Sequence, residues 1–219
     1  MPGSTRIERL FIPGPAGRLE ALLEFDPAAR PAAAAVVCHP HPLFGGTMHN
    51  KVVYRAAKAA LEAGLSSLRF NFRGVEKSEG EFADGISERD DARAALDFLA
   101  TRFPGTPVVM MGFSFGAWVG LSAGAADLRV RALVGLGLPT GSADWNCLRS
   151  VNKPLLIVQG TGDVFGPRAE IETLFSSLPE PKSLHWVEGA DHFLGGKLDE
   201  VQTVVRSFLQ EFVATLPQK

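Results

Sequence analysis

Gly112-Phe113-Ser114-Phe115-Gly116 is the stretch that decides the fold of this 219-residue chain. It follows directly on the apolar run Pro107–Met111, which predicts a buried parallel strand that ends near a serine. The glycines around Ser114 let the chain turn sharply from strand to helix without the clashes that a Cβ atom would cause. The stretch is therefore typical of a nucleophile elbow, with the serine hydroxyl exposed at the start of a helix.

A serine hydroxyl is a poor nucleophile at neutral pH, so this interpretation requires a base and an orienting acid elsewhere in the chain. Asp163 and His192 meet the requirement, because each follows a predicted strand and the chain order becomes Ser, Asp, His. His185 lies within a strand and Asp144 precedes the wrong strand. Asp191, next to the histidine, is expected to direct its side chain elsewhere. We therefore predict a triad of Ser114, Asp163 and His192.

The remaining elements predict an α/β fold. Thr5–Ile12 and Arg18–Phe25 flank a Pro- and Gly-rich turn and predict an antiparallel hairpin. After it, predicted strands alternate with helices, the strands being Ala34–Cys38, Ser67–Phe72, the elbow strand, Arg131–Leu136, Pro154–Val158 and Ser183–Val187, and the helices Lys51–Ala63, Glu88–Phe103, the elbow helix, Pro167–Leu178 and Lys197–Leu216. Such alternation predicts a mostly parallel central sheet flanked by helices on both faces, with ligands at the carboxyl ends of the strands. We expect a single domain over residues 1–219.

Composition limits the partners that the chain can have. The formal net charge of -2, the pI near 6.2 and the scattered basic residues give no electrostatic reason to bind nucleic acid or an anionic membrane. Cys38 and Cys147 are too few for a disulfide framework, which indicates a reducing compartment. The N-terminus lacks the apolar core of a signal peptide, and no stretch approaches the roughly 18 apolar residues of a membrane span. We expect a cytoplasmic protein with a small-molecule substrate, and a homodimer is left open.

Several segments together resemble a known family. They are His39-Pro40-His41-Pro42-Leu43-Phe44-Gly45-Gly46-Thr47-Met48, Arg69-Phe70-Asn71-Phe72-Arg73-Gly74, the elbow, Gly162-Asp163 and Asp191-His192. The chain resembles the small, lidless α/β hydrolases near the dienelactone hydrolase-like branch, and most of all the compact bacterial esterases with a His-Pro-His-Pro loop. The resemblance spans nearly the whole chain and implies the α/β-hydrolase fold with no cofactor.

Two departures from this pattern matter. Dienelactone hydrolases carry cysteine at the nucleophile position, whereas this chain has Ser114, which favours ester chemistry and argues against importing their substrate. Relatives often show Gly-Val-Gly-x-Ser after the arginine segment, whereas this chain has Gly74-Val75-Glu76-Lys77-Ser78. We therefore expect a local difference in that loop.

An oxyanion that forms at the serine needs two hydrogen-bond donors. The backbone N–H of Phe115 is the first candidate, because it follows the nucleophile at a helix N-terminus. The second is expected from the loop after the strand that ends at Cys38. Pro40 and Pro42 have no N–H, which leaves His41 and Leu43. Of these two we predict Leu43, with His41 as the alternative.

The histidines His39, His41 and His49 lack a carboxylate or cysteine at ligand spacing. We therefore predict that they form hydrogen bonds within the loop and do not bind a metal. Arg69, Asn71 and Arg73 alternate along a predicted strand and are expected to share one face.

These three polar residues leave two uses open. They could hold an acidic group of the substrate at the end of the strand. The favoured alternative is structural, with Arg73 paired to Glu88 or Asp90 so that the loops around the site are held in place.

The connection Gly141–Lys153 is too short to form a cap domain. We therefore expect an open site with little concave apolar area, and a preference for esters with roughly two to six acyl carbons. The leading function is a carboxylesterase that works through an acyl-enzyme. An acyl-thioesterase and a non-catalytic binding module on the same fold are the alternatives.

Overall fold

The computed structural model describes residues 5–217, which are built around an eight-stranded sheet. The strands are β1 (Arg6–Gly14), β2 (Gly17–Phe25), β3 (Ala34–Cys38), β4 (Ser66–Phe70), β5 (Val108–Phe113), β6 (Val130–Leu136), β7 (Leu155–Gly160) and β8 (Lys182–Val187). Their order across the sheet is β1-β2-β4-β3-β5-β6-β7-β8. The pairs β1–β2 and β2–β4 are antiparallel, and all other neighbours are parallel. The predicted hairpin and mostly parallel sheet are confirmed.

Helices cover both faces of this sheet, as predicted. They are α1 (Lys51–Glu62), α2 (Glu88–Arg102), α3 (Phe115–Ala125), α4 (Arg168–Ser176) and α5 (Leu198–Ala214). The apolar faces of α1 and α5 pack in one buried layer, and those of α2, α3 and α4 pack in the other. Between β6 and β7 lies only a short 3-10 turn, Asn146–Leu148, and no cap domain. Within residues 5–217, every helix falls short of the length and apolar character that a membrane crossing requires.

Arg73 forms a buried ion pair with Asp91, and the predicted pairing with Glu88 or Asp90 is wrong. Its Nη2 lies 2.7 Å from Oδ1 of Asp91, and its backbone N–H donates to Oδ2 at 3.0 Å. Asp91 lies on the buried side of α2, whereas Asp90 is exposed and pairs with Arg93. The helix phase therefore selects the partner, and the pair ties the loop after β4 to α2.

Arg69 and Asn71 act on the opposite face of the sheet from Arg73. Arg69 donates to Glu24 at 2.8 Å and to the backbone oxygen of Met48 at 3.0 Å. The side-chain oxygen of Asn71 accepts from the N–H of Met48 at 2.8 Å. Because β4 ends at Phe70, the strand alternation does not reach Arg73, and the expectation of one shared face is wrong. Arg69 and Asn71 hold the chain that leads into α1.

The loop after β4 also contains the residue that departs from the family pattern. Glu76 has a φ of 48°, a left-handed backbone conformation that favours glycine. Its carboxylate accepts a hydrogen bond from the Asn71 amide at 3.0 Å. The glutamate side chain therefore adds a contact that a glycine could not make.

His39 joins the loop after β3 to the loop after β4. Its ring is fully buried, its Nε2 accepts from the backbone N–H of Phe72 at 3.0 Å, and its Nδ1 lies 2.7 Å from the carbonyl oxygen of Pro40. This pattern requires the neutral ring with the proton on Nδ1. Burial lowers the pKa of His39 from 6.5 to about 4. His41 likewise accepts from the N–H of Leu43 at 3.2 Å, so both rings form hydrogen bonds within the loop.

The first prediction compares two neighbouring carboxylates. Asp91→Asn should lower the free energy of unfolding by about 3 kcal/mol, because it leaves the Arg73 charge buried without its partner. Asp90→Asn removes the same charge from an exposed pair and should cost less than about 0.5 kcal/mol. Urea unfolding followed by circular dichroism measures both. Equal losses in the two variants would contradict the assigned role of the buried pair.

The second prediction concerns acid stability. Since the pKa of His39 is about 4 when folded and 6.5 ordinarily, the unfolded chain takes up a proton between these pH values that the folded protein does not. The free energy of unfolding should therefore fall by up to about 3 kcal/mol as the pH drops through this window. His39→Gln keeps an acceptor but should lose this dependence.

Urea unfolding of both proteins between pH 7 and 4.5 gives the comparison. All other titrating groups contribute equally to the pH dependence of the two proteins, so their contributions cancel in the difference. The stability difference between the parent and His39→Gln should narrow as the pH falls. An NMR titration of the His39 ring in the parent checks the same pKa directly. If the two free energies of unfolding change with pH in parallel, and the His39 ring titrates at its ordinary pKa, the role assigned to His39 is refuted.

Candidate active site

Ser114 lies at the turn between β5 and α3 in a backbone conformation that serine rarely adopts. Its φ is 56° and its ψ is -123°, and its N–H donates to the carbonyl oxygen of Leu136 at 2.9 Å. A Cβ atom on Gly116 would lie 2.3 Å from the carbonyl oxygen of His39 and 2.4 Å from that of Cys38. Only glycine permits this approach, so tertiary contacts impose the strained conformation on the serine.

The structure brings the three predicted triad residues within hydrogen-bond distance. Nε2 of His192 lies 2.9 Å from Oγ of Ser114, and Nδ1 of His192 lies 2.8 Å from Oδ2 of Asp163. Asp163 and His192 are buried. Because a carboxylate only accepts hydrogen bonds, the proton sits on Nδ1 and Nε2 is free to accept the serine proton. This arrangement can activate the hydroxyl as a nucleophile.

Asp163 is itself held by a network that sequence reasoning missed. Its Oδ1 accepts from the N–H groups of Phe165 at 2.8 Å and Gly166 at 3.2 Å. Nε2 of the fully buried Gln159 donates to Oδ2 at 2.8 Å, and its Oε1 accepts from the N–H of Leu138 at 2.7 Å. The available signal was a polar side chain near the end of an otherwise apolar strand. Gln159 thus positions the carboxylate that orients the histidine.

The weaker triad candidates bind elsewhere. Nε2 of His185 lies 3.0 Å from Glu200 on α5. Asp144 accepts from the N–H of Asn146, and Asp191 accepts from the N–H of Phe193. Their side chains therefore hold local turns or the edge of the sheet.

The backbone N–H groups of Phe115 and His41 lack a hydrogen-bond partner within residues 5–217, and both residues line the same cleft as Ser114. The N–H of Leu43 instead donates to Nδ1 of His41, and Leu43 does not line the cleft. The expected choice of Leu43 as the second oxyanion donor therefore meets a competing hydrogen bond. The geometry favours the alternative, His41.

A cleft of about 550 Å³ opens at Ser114. The expectation of little concave apolar area is wrong, because aromatic side chains from several loops and from α3 form its walls. These are Phe44, Phe82, Phe115, Trp118, Phe165 and Phe193. The ring of His41 packs 4.8 Å from that of Phe44, 5.0 Å from that of Phe82 and 4.9 Å from that of Phe115. Loops therefore supply the apolar enclosure that a cap would provide.

Few groups in the cleft carry charge. Burial lowers the pKa of His41, although the nearby carboxylates of Asp84 and Glu88 act in the opposite direction. None of Arg69, Asn71 and Arg73 lines the cleft, so they do not reach a substrate bound there. Within the described residues, no group of three or more His, Cys, Asp or Glu side chains is arranged to hold a metal ion.

Comparison with known proteins agrees with this architecture. A family model described as an alpha/beta hydrolase domain matches residues 33–215. An uncharacterized protein of Rickettsia prowazekii is 34% identical over 211 residues, which cover 92% of this chain and 88% of the relative.

Two solved structures are similar over nearly their whole length. An alpha-beta serine hydrolase homologue from Coxiella burnetii shares 34% identity with a TM-score of 0.83, covering 91% of this chain and 96% of its own. A serine hydrolase without a lid from Xanthomonas campestris shares 32% identity with a TM-score of 0.87, covering 97% of each chain. With its sheet order, its lidless connection and these matches, the chain belongs to the alpha/beta hydrolase family.

Proposed function

We propose that this protein is a serine carboxylesterase that cleaves small or medium acyl esters through an acyl-enzyme. The observation that carries the proposal is the chain of hydrogen bonds from Asp163 through His192 to Ser114, at 2.8 and 2.9 Å. This chain ends at an apolar cleft large enough for a small ester.

In the first half-reaction, Nε2 of His192 accepts the proton of Ser114 as Oγ attacks the ester carbonyl. The carbonyl oxygen becomes an oxyanion, and the N–H groups of Phe115 and His41 are the donors that we assign to it. Asp163 stabilises the imidazolium that forms. The imidazolium then gives its proton to the leaving alcohol oxygen, and the acyl group stays on Ser114.

In the second half-reaction, His192 accepts a proton from water, which attacks the acyl carbonyl. Collapse of the new tetrahedral intermediate returns the proton to Oγ of Ser114 and releases the carboxylic acid. Each proton taken by the histidine is thus returned, and no cofactor is required. The role of the buried Gln159 is to keep Asp163 in place through both halves.

An acyl-thioesterase would use the same groups, but recognition of a phosphate-bearing thiol carrier favours basic side chains at the mouth. No lysine or arginine lines the part of the cleft that the structure describes. A non-catalytic binding module would have no use for the aligned hydrogen bonds of His192. A carboxylesterase is therefore the function that the site supports best.

The third prediction tests the nucleophile. A fluorophosphonate probe should label the parent and fail to label Ser114→Ala, because the probe bonds covalently to an activated serine. Hydrolysis of p-nitrophenyl butyrate should fall by at least about 10³-fold in that variant. Ser122→Ala removes a hydroxyl from the same helix outside the cleft and should keep both properties. Persistent labelling of Ser114→Ala would refute the assignment.

The fourth prediction tests the elbow geometry. Gly116→Ala should reduce both labelling and hydrolysis by about 100-fold or more, since its Cβ would force α3 away from the loop after β3. It should also lower the melting temperature. Gly141→Ala is the matched control, because a Cβ at that loop position meets nothing within 4 Å. An active, stable Gly116→Ala enzyme would contradict the required close approach.

A further inference from the structure

Asp84 is the one Asp, Glu, Lys or Arg among the described residues that line the cleft. It lies in the loop between β4 and α2 and is exposed to solvent. Within residues 5–217, its carboxylate has neither a hydrogen bond nor an ion pair. An unpaired negative charge thus faces a cleft whose walls are mostly aromatic and apolar.

The surrounding structure fixes the backbone conformation of Asp84. Its φ of 51° lies in the left-handed region. On either side, the buried Glu88 accepts the N–H groups of Ala83 at 2.7 Å and Gly85 at 2.8 Å. A Cβ at Gly85 would lie 2.2 Å from the Trp118 ring, so the loop packs directly on that ring. These contacts fix the position of the Asp84 backbone at the wall of the cleft.

Aromatic rings line the same cleft as this carboxylate. Phe82, Phe115 and Trp118 line it together with His41, and the face of an aromatic ring attracts a cation. Because burial lowers the pKa of His41, its ring adds no positive charge at neutral pH. Arg89 contacts the Trp118 ring at 5.0 Å but lies outside the cleft lining. The lining of this wall thus combines one carboxylate with aromatic rings, a chemistry that suits a positive ligand.

The sheet order decides which half of an ester meets this wall. The loops after β3 and β4 lie on one side of β5, whereas the loops after β7 and β8, which carry Asp163 and His192, lie on the other. The leaving oxygen must face His192 to receive its proton. An alcohol half on the side of Phe165 and Phe193 leaves the side of Asp84 to the acyl half.

Resting on the proposed esterase function, we propose that this part of the cleft recognises a positively charged nitrogen on the acyl half of the substrate. Asp84 supplies the charge and the rings of Phe82 and Trp118 supply the cation–π surface. An acyl half that ends in a carboxylate is repelled by the same group. Asp84 is thus a specificity-determining residue, and the preferred substrates are esters of amino or ammonium carboxylic acids.

The experiment uses three p-nitrophenyl esters that differ in charge and little in size. The acyl groups are 3-(trimethylammonio)propanoyl, its uncharged carbon analogue 4,4-dimethylpentanoyl, and the mono-anion of glutaryl. Each kcat/KM is divided by the rate constant for attack of hydroxide on the ester carbonyl, with elimination from the cationic ester and intramolecular cleavage of the glutaryl ester measured separately and excluded. The corrected value should be about tenfold higher for the cationic ester than for the neutral one, and lowest for the anion.

Asp84→Asn should bring the corrected ratio of cationic to neutral ester close to 1. Asparagine also tolerates the left-handed conformation, so the loop should keep its shape. Asp90→Asn removes a charge from the adjacent helix outside the cleft, and its ratio should match that of the parent. A parent ratio near 1, or a ratio that survives Asp84→Asn, would overturn the inference while the esterase function stands.

Binding separates this inference from the proposed function. Calorimetry on Ser114→Ala with the corresponding methyl esters should show tighter binding of the cationic ester, and Ser114→Ala/Asp84→Asn should lose the difference. If none of the three p-nitrophenyl esters is hydrolysed by the parent, the proposed function fails, and calorimetry still decides the recognition of the cation. Equal binding of the cationic and neutral esters would refute it.

Discussion

The close approach of α3 to the end of β3 is the constraint on which the site depends. Gly116 lets the helix N-terminus lie against the carbonyl groups of Cys38 and His39. Next to this contact Ser114 has a positive φ, and Phe115 and His41 line the same cleft. Because Gly116 has no Cβ atom, Ser114 can lie close to the loop after β3.

The loops on either side are held by buried polar groups that serve the site without touching a substrate. His39 joins the loops after β3 and β4, Asp91 fixes the second of these to α2, and Gln159 holds Asp163. Each of these side chains is buried and each finds a partner, which offsets the cost of removing a polar group from water. These buried hydrogen bonds hold the loops around Ser114, Asp163 and His192 in place, although no cap covers them.

The sequence was sufficient to predict the fold and to choose three residues that lie within hydrogen-bond distance, because both depend on local patterns and chain order. The elbow has a strand before it and glycines at defined positions, and Asp163 and His192 each follow an apolar strand. The partner of Arg73 depends on the phase of α2, where one step along the helix exchanges a buried carboxylate for an exposed one. Such a choice is settled by packing, so the prediction from spacing chose wrongly.

The same reasoning explains why the aromatic cleft was missed. Phe44, Phe82, Phe165 and Phe193 come from four separate loops, and no local pattern indicates that they meet. Several of these rings remain partly exposed, Phe44 at 86% and Phe193 at 64%. An exposed wall leaves Asp84 hydrated before substrate arrives, so an unpaired carboxylate there costs little. The Asp84 charge interacts most strongly when a ligand displaces that water. A single side chain in an open, lidless cleft can therefore distinguish substrates by their charge.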